Sequence, residues 1–142
     1  MKVNNETCLL TRNQQLVNDV LFANDGPLTA YQILDTLRDD GLKAPLQIYR
    51  ALEKLMELGL VHRLESTNAY LFCRQINCSA QAGQAFAICD NCGKVAEFPA
   101  LSSTRHLSNW ASYQSFSISS TMIELHGLCA NCQKKPPANK QP

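Results

Sequence analysis

The chain has 142 residues, of which 45% are hydrophobic and 18% charged, and its formal net charge is +1. This ordinary globular composition suits one domain or two small ones, and the net charge alone does not indicate nucleic-acid binding. No apolar run approaches the roughly 20 residues needed to cross a bilayer, and the N-terminus has no apolar signal core. We therefore expect a cytoplasmic protein with no membrane partner.

The first part of the chain, residues 1–73, predicts three helices followed by a hairpin. Thr11 and Thr29 fit the N-caps of the first two helices. Pro45 fits the first turn of the third helix, and Gly59 fits its C-terminal cap. The third helix is predicted at about 45–58, and the two strands of the hairpin at 60–65 and 69–73. Three helices and a hairpin predict a winged helix-turn-helix, a DNA-binding domain.

The third helix is predicted to have two different faces. Its core face is expected to carry Ile48, Leu52 and Leu55, whereas a polar and partly cationic side carries Gln47, Arg50, Ala51 and Lys54. Such a side can enter a major groove, and Arg50 is the best candidate for base reading because a guanidinium donates two hydrogen bonds to guanine. Lys43, Lys54 and Arg63 are candidates for phosphate contacts. The alternative interpretation is a solvated helix face.

The rest of the chain predicts a hinge, a second domain and a tail. Residues 74–84 lack helical or strand periodicity and are expected to form the hinge. The second domain is predicted over 85–132, and residues 133–142 are expected to be a disordered tail. In the second domain we expect strands before and after a cysteine turn, a helix at about 101–112 with Leu107 and Trp110 inward, and a long strand at about 115–125.

Two Cys-x-x-Cys pairs stand near the two ends of the second domain. They are Cys89 and Cys92, followed by Gly93, and Cys129 and Cys132. Each such turn points two thiolates at one spot, and two turns supply the four sulfurs of a tetrahedral structural zinc site. In the cytoplasm the seven cysteines are expected to be metal ligands or thiols rather than disulfides. Two disulfides, four unremarkable buried thiols or a redox dithiol are the alternatives.

Several motifs together resemble the ferric uptake regulator family over roughly residues 9–132. They are Leu10-Thr11-Arg12, Thr29-Ala30-Tyr31, Ile48-Tyr49-Arg50-Ala51-Leu52, Cys89-Asp90-Asn91-Cys92-Gly93 and Cys129-Ala130-Asn131-Cys132. Within the family the zinc uptake regulator branch is the most similar, on the motifs around 59–70 and 124–129. The resemblance implies a homodimer that represses metal-uptake genes by binding palindromic double-stranded operator DNA when its sensory metal is present. It also implies that Tyr31 touches the DNA.

The resemblance further implies a second, regulatory zinc near the hinge. Zinc-responsive members hold it with a histidine from the wing, a cysteine at the end of the wing, a hinge histidine and a glutamate beyond the first cysteine turn. The first, second and fourth of these ligands match His62, Cys73 and Glu97. The hinge histidine is expected near Ala82, but residues 74–84 contain none. Either Cys78 or a water molecule is then the fourth donor.

The expected fold class is therefore α+β, with an N-terminal winged helix-turn-helix domain and a C-terminal α/β dimerisation domain that contains a four-cysteine zinc site. The expected function is zinc-sensing repression of transcription, without enzymatic activity or a small-molecule substrate. An iron, manganese or peroxide sensor of the same family is the nearest alternative. A zinc deaminase is disfavoured because four thiolates leave no open coordination position. A zinc-stabilised interaction module that does not bind DNA is a third possibility.

Overall fold

The computed structural model describes residues 9–74 and 84–134. The chain divides into two compact units, Met1–Cys73 and Arg74–Pro142. The predicted hinge falls outside the described residues except at its ends, and nearly all of the predicted tail does so too. Within the two described ranges, no helix is both long enough and apolar enough to span a membrane.

The first unit begins with three α-helices. They are α1 (Arg12–Ala23), α2 (Ala30–Leu37) and α3 (Pro45–Glu57). Thr11 starts α1 through a reciprocal cap, in which its hydroxyl accepts from the Gln14 backbone N–H and its own N–H donates to the Gln14 side chain. Thr29 and Gln32 repeat this arrangement at the start of α2. The predicted helix starts are confirmed, because the capping side chains satisfy N–H groups that have no partner inside the helix.

A small sheet completes the first unit. Its strands are β1 (Leu28–Thr29), β2 (Val61–Leu64) and β3 (Ala69–Phe72), and they lie in the order β1-β3-β2 with antiparallel pairing. Strands β2 and β3 form the predicted hairpin, whose turn places Asn68 at a φ of 50°. The two-residue strand β1 was not predicted, because it is too short to show alternation.

The three helices and the sheet enclose one hydrophobic cluster. Its fully buried members are Val17, Leu21, Ile33, Leu42, Ile48, Leu52, Leu55 and Val61, all less than 3% exposed. The core face predicted for α3 is therefore confirmed. These elements form the predicted winged helix-turn-helix, with α3 as the second helix of the helix-turn-helix pair.

The second unit is a mixed α/β structure. Its elements are β4 (Gln84–Cys89), β5 (Val95–Pro99), α4 (Leu101–Tyr113), β6 (Ile123–Gly127) and α5 (Ala130–Gln133). The strand order is β5-β4-β6, with β5 antiparallel and β6 parallel to β4. Because β4 and β6 run in the same direction, the two cysteine pairs that follow them emerge at the same end of the sheet.

Two expectations for the second unit are wrong. The strand predicted at 115–125 is confined to Ile123–Gly127, because the serine-rich stretch before it has no apolar alternation to hold it in a sheet, and Ser115 takes a φ of 53°. Leu107 and Trp110, which were expected to face inward, are 39% and 56% exposed. Within the described residues these two side chains are covered only in part, Trp110 by the ring of Phe116.

Candidate functional site

The first cysteine pair lies in a tight turn at the end of β4. The Gly93 N–H donates to the Cys89 carbonyl at 2.9 Å, and the Cys89 N–H donates to the Lys94 carbonyl at 2.9 Å. Gly93 takes a φ of 74°, which a residue with a Cβ adopts only at a cost, so glycine is favoured there. The turn folds the chain back on itself and brings its two sulfurs close together.

The second cysteine pair is held by α5, with Cys129 just before the helix and Cys132 within it. The Asp90 N–H donates to the Gly127 carbonyl at 2.8 Å, which ties the first turn to the end of β6. The backbone therefore brings the two pairs together through the parallel β4–β6 pairing and this additional hydrogen bond.

The four sulfur atoms form one cluster. All of them lie within 4.8 Å of one another, and Cys92 Sγ is 3.7 Å from Cys129 Sγ. Four thiolates at about 2.3 Å from a tetrahedral zinc ion are separated by about 3.8 Å, so the cluster has the size that zinc requires. We conclude that Cys89, Cys92, Cys129 and Cys132 can hold a metal ion, as the sequence predicted.

Hydrogen bonds to the sulfurs prepare this cluster for a cation. The Cys129 N–H donates to Cys89 Sγ at 3.3 Å, and this contact, followed by one with Cys92, lowers the pKa of Cys89 to about 6. The Asn91 amide donates to Cys132 Sγ at 3.3 Å and lowers the pKa of that thiol. The neighbouring sulfurs, Cys129 first, and burial outweigh this effect and raise the pKa of Cys132 to about 11. Without a metal, four cysteines so close together therefore cannot all be ionised to thiolates, because the negative charges repel one another.

His126 lies beside the cluster but contributes no ligand to it. Its Nδ1 atom is 3.2 Å from Asp90 Oδ1, and its Nε2 atom is 3.5 Å from Glu124 Oε2. The two carboxylates contact different ring nitrogens, so they orient the ring rather than form a metal site with it. The side chain is 40% exposed.

Two of the residues predicted to bind the regulatory zinc lie together in the first unit. His62 is on β2 opposite Leu71, and Cys73 follows β3 on the same face as Leu71, with its N–H donating to the Leu60 carbonyl at 2.9 Å. A ring nitrogen of His62 and Cys73 Sγ lie within 4.8 Å of each other. Burial lowers the pKa of His62, so the imidazole is neutral at pH 7 and keeps a lone pair for a metal.

Cys73 is disulfide-bonded in this structure. This state differs from the expectation that the cysteines are ligands or thiols, and a sulfur must be a thiolate to bind zinc. Glu97 lies on β5 in the second unit, where burial raises the pKa of its carboxyl group and the Arg74 N–H partly offsets that effect. Cys78, the tentative fourth ligand, is outside the described residues.

The exposed face of α3 shares only Arg50 and Lys54 with the predicted one. Ala51 is only 3% exposed and belongs to the core, whereas Leu46 is 57% and Tyr49 37% exposed. The exposed stripe of α3 consists of Leu46, Tyr49, Arg50, Glu53 and Lys54. These residues have the helical spacing i, i+3, i+4, i+7 and i+8 starting from Leu46, which is visible in the sequence. The sequence pattern did not predict this face as exposed because Leu46 and Tyr49 are apolar residues.

The structure gives the exposure or the polar contacts of the other residues predicted to contact DNA. Tyr31 is 64% exposed at the start of α2. The Gln47 side-chain oxygen accepts from the backbone N–H groups of Lys43 and Ala44, at 3.0 and 3.1 Å, and so caps α3. The remaining polar contacts lie within this unit: Lys54 Nζ is 3.2 Å from Glu57 Oε2, and Arg63 contacts Asn68 Oδ1 at 2.9 Å and Glu65 Oε1 at 3.7 Å.

A winged helix-turn-helix joined to an α/β unit with a four-cysteine cluster defines a class of metal-binding regulators, and comparison with known proteins agrees. Residues 8–126 match the ferric uptake regulator family, and the chain belongs to this family. It is 38% identical over 124 residues to the zinc uptake regulation protein of Escherichia coli K12, covering 87% of this chain and 72% of that protein.

Two solved structures are similar over nearly the whole chain. A zinc uptake regulator complexed with zinc and DNA has a TM-score of 0.84 and 35% identity, covering 91% of this chain and 86% of that one. The crystal structure of holo XcZur has a TM-score of 0.80 and 35% identity, covering 89% and 87% of the respective chains. The relatives reported above are regulatory proteins by name, which agrees with the expectation that this chain is not an enzyme.

Proposed function

We propose that the protein is a zinc-sensing transcriptional repressor that binds palindromic operators of zinc-uptake genes when it is loaded with zinc. The observation that carries this proposal is the similarity, over 91% of the chain, to a zinc uptake regulator solved with both zinc and DNA. The four-cysteine cluster and the exposed stripe on α3 support it independently. A repressor of this kind acts where the DNA is, in the cytoplasm.

In this proposal the four-cysteine cluster holds a structural zinc. A complete set of four thiolates leaves no position for water or substrate, so the ion has a structural rather than a catalytic role. Binding removes the mutual repulsion of the thiolates and fixes the end of β4 to the start of α5. The residues assigned to this ion are Cys89, Cys92, Cys129 and Cys132.

A second zinc ion is the proposed signal. His62 and Cys73 in the first unit supply a nitrogen and a sulfur, Glu97 in the second unit supplies an oxygen, and Cys78 or water completes the set. Mixed N, S and O donors suit zinc better than a hard cation. Because Cys73 must be a thiolate to bind the ion, the proposed sensing form is the reduced protein.

The regulatory zinc acts by shifting a population. Ligands from both units restrict the orientations that the two DNA-binding units of a dimer sample, and the selected orientation matches successive major grooves. A coupling free energy of roughly 1–3 kcal/mol changes the DNA affinity about 5- to 150-fold. Arg50 reads a base, whereas Tyr31, Lys43, Gln47, Lys54 and Arg63 contact DNA around it.

The proposed homodimer accounts for apolar surface on the second unit. Trp110, Tyr113 and Phe116 are 56%, 88% and 59% exposed, and the rings of Trp110 and Phe116 are 6.0 Å apart. Large aromatic side chains at this density are typical of an interface rather than of a surface that faces water. A second copy of the chain, required by a palindromic operator, is the proposed partner.

Zinc-dependent DNA binding tests the proposal. An operator is selected from a random duplex library with the reduced, zinc-loaded protein, and binding is titrated in zinc, iron and manganese and in a chelator. We expect two zinc ions per chain and a dimer. Operator binding should be lost in the chelator, and only zinc should restore it. One metal per chain with DNA binding that ignores chelators would refute the sensing role, and restoration by iron or manganese alone would assign a different signal.

A further inference from the structure

The first turn of α3 presents a large apolar side chain to solvent. Leu46 is the second residue of the helix and is 57% exposed, whereas Ile48 and Leu52 in the next turns are 0% exposed. Leu46 is therefore not a member of the hydrophobic core that Ile48 and Leu52 join. Leu46 lies on the same stripe as Arg50, one turn further along the helix.

The neighbouring polar residue of this turn is already engaged. Gln47 accepts two backbone hydrogen bonds through its side-chain oxygen, from Lys43 and Ala44. Bidentate recognition of adenine requires a glutamine oxygen as acceptor and its amide as donor. In this position Gln47 keeps only the donor, so it cannot make that contact without uncapping α3.

The first turn of a recognition helix contacts base edges in the major groove. The apolar group exposed there is the 5-methyl group of thymine, and an apolar side chain recognises it by contact. Lys43 and Arg50, on either side of Leu46 along the chain, supply positive charge that favours DNA as the occupant of this surface. An apolar residue between two cations fits a duplex better than it fits the apolar interior of another protein.

We propose that Leu46 is a specificity-determining residue that contacts a thymine 5-methyl group in the operator. The assignment rests on the proposed function, since it requires that α3 enter a major groove. The operator would then be recognised by an apolar contact from Leu46 as well as by hydrogen bonds from Arg50. The sequence pattern did not indicate this role for Leu46.

The experiment combines protein and DNA substitutions in a double-mutant cycle. The probe is the duplex selected by the zinc-loaded protein, with each thymine replaced in turn by deoxyuridine, which lacks only the methyl group. At one thymine per half-site, we expect deoxyuridine to weaken binding of the unmodified protein about fourfold, the worth of one buried methyl group. With Leu46→Ala the affinity for the thymine operator falls, and the same replacement then has no effect.

Three controls make the result specific. Leu46→Met keeps an apolar side chain and is expected to keep the response to deoxyuridine. Leu9→Ala removes another exposed leucine of the same unit, 90% exposed, and should leave the response unchanged. Because Leu46 is exposed and alanine is a good helix former, Leu46→Ala is expected to unfold at the same urea concentration as the unmodified protein.

The outcomes separate this inference from the proposed function. If no duplex is enriched with zinc, the proposed function fails, and Leu46 has no DNA to read. If the protein binds its operator but Leu46→Ala weakens thymine and deoxyuridine operators equally, or has no effect, the contact with the methyl group is refuted. Loss of dimerisation in Leu46→Ala would assign this surface to a second copy of the chain instead.

Discussion

Removing the proposed structural zinc is expected to unfold the second unit and leave the first unit folded. The reason is the difference between their cores. In the first unit, thirteen buried residues form one cluster. In the described part of the second unit the buried residues are Ala85, Phe86, Ile88, Cys89, Ala100, Ala111 and Cys132. Two of these are ligands of the proposed metal, and three are alanines.

The stability that the apolar core gives to the second unit can be estimated from these side chains. Phe86 and Ile88 are the only large ones in that set, and burying them contributes about 3–6 kcal/mol together. A structural zinc ion contributes about 10–16 kcal/mol of apparent binding free energy, and a whole domain is usually stable by only about 5–15 kcal/mol. Loss of the ion therefore exceeds what the apolar core of the second unit can offset.

The substitution that tests this is Cys92→Ser, because Cys92 is exposed and its loss leaves no cavity in the core. Amide hydrogen exchange, read on peptides from 84–134 and from 9–74, distinguishes the two units in one sample. We expect protection to collapse in the second unit, to persist in the first, and the same pattern to follow chelation of the unmodified protein. Unchanged protection in 84–134 after complete removal of zinc would refute the reasoning.

The remaining predictions concern the first unit and the regulatory site. Arg50→Ala is expected to weaken operator binding by about 1–3 kcal/mol without changing the urea midpoint, and unchanged affinity in a gel-shift titration would exclude it as a base reader. Cys73→Ala, assayed under reducing conditions, should keep the fold and lose one zinc per chain together with zinc-dependent repression; a variant with the same zinc response would contradict the ligand assignment. Burial raises the pKa of Tyr70 above its ordinary 10.0, although Arg63 opposes the shift, so this group stabilises the folded state below pH 10.0 and the contribution is lost as pH rises through the folded-state pKa. Tyr70→Phe should therefore flatten the alkaline loss of stability seen in urea unfolding, and an identical loss would show that another group causes it.

Elements with local signals were predictable from the sequence. Thr11 and Thr29, each followed three residues later by glutamine, mark helix starts because the caps are made within four residues. The Cys-x-x-Cys turns are equally local, since Gly93, at a φ of 74°, favours the sharp exit from the first one. The strand expected at 115–125 was wrong over its serine-rich part, which has no apolar alternation to hold it in a sheet.

The sequence by itself determined the helix caps, the hairpin turn and the two Cys-x-x-Cys turns, because each depends on residues a few positions apart. Only the tertiary structure decided how the two predicted cysteine pairs come together, since this depends on the parallel pairing of β4 with β6 across the intervening helix. It also decided which side of α3 is exposed, because the core takes Ala51 and leaves Leu46 and Tyr49 outside. A helix has several faces that sequence periodicity can favour, and the packing of its neighbours selects the one that is buried.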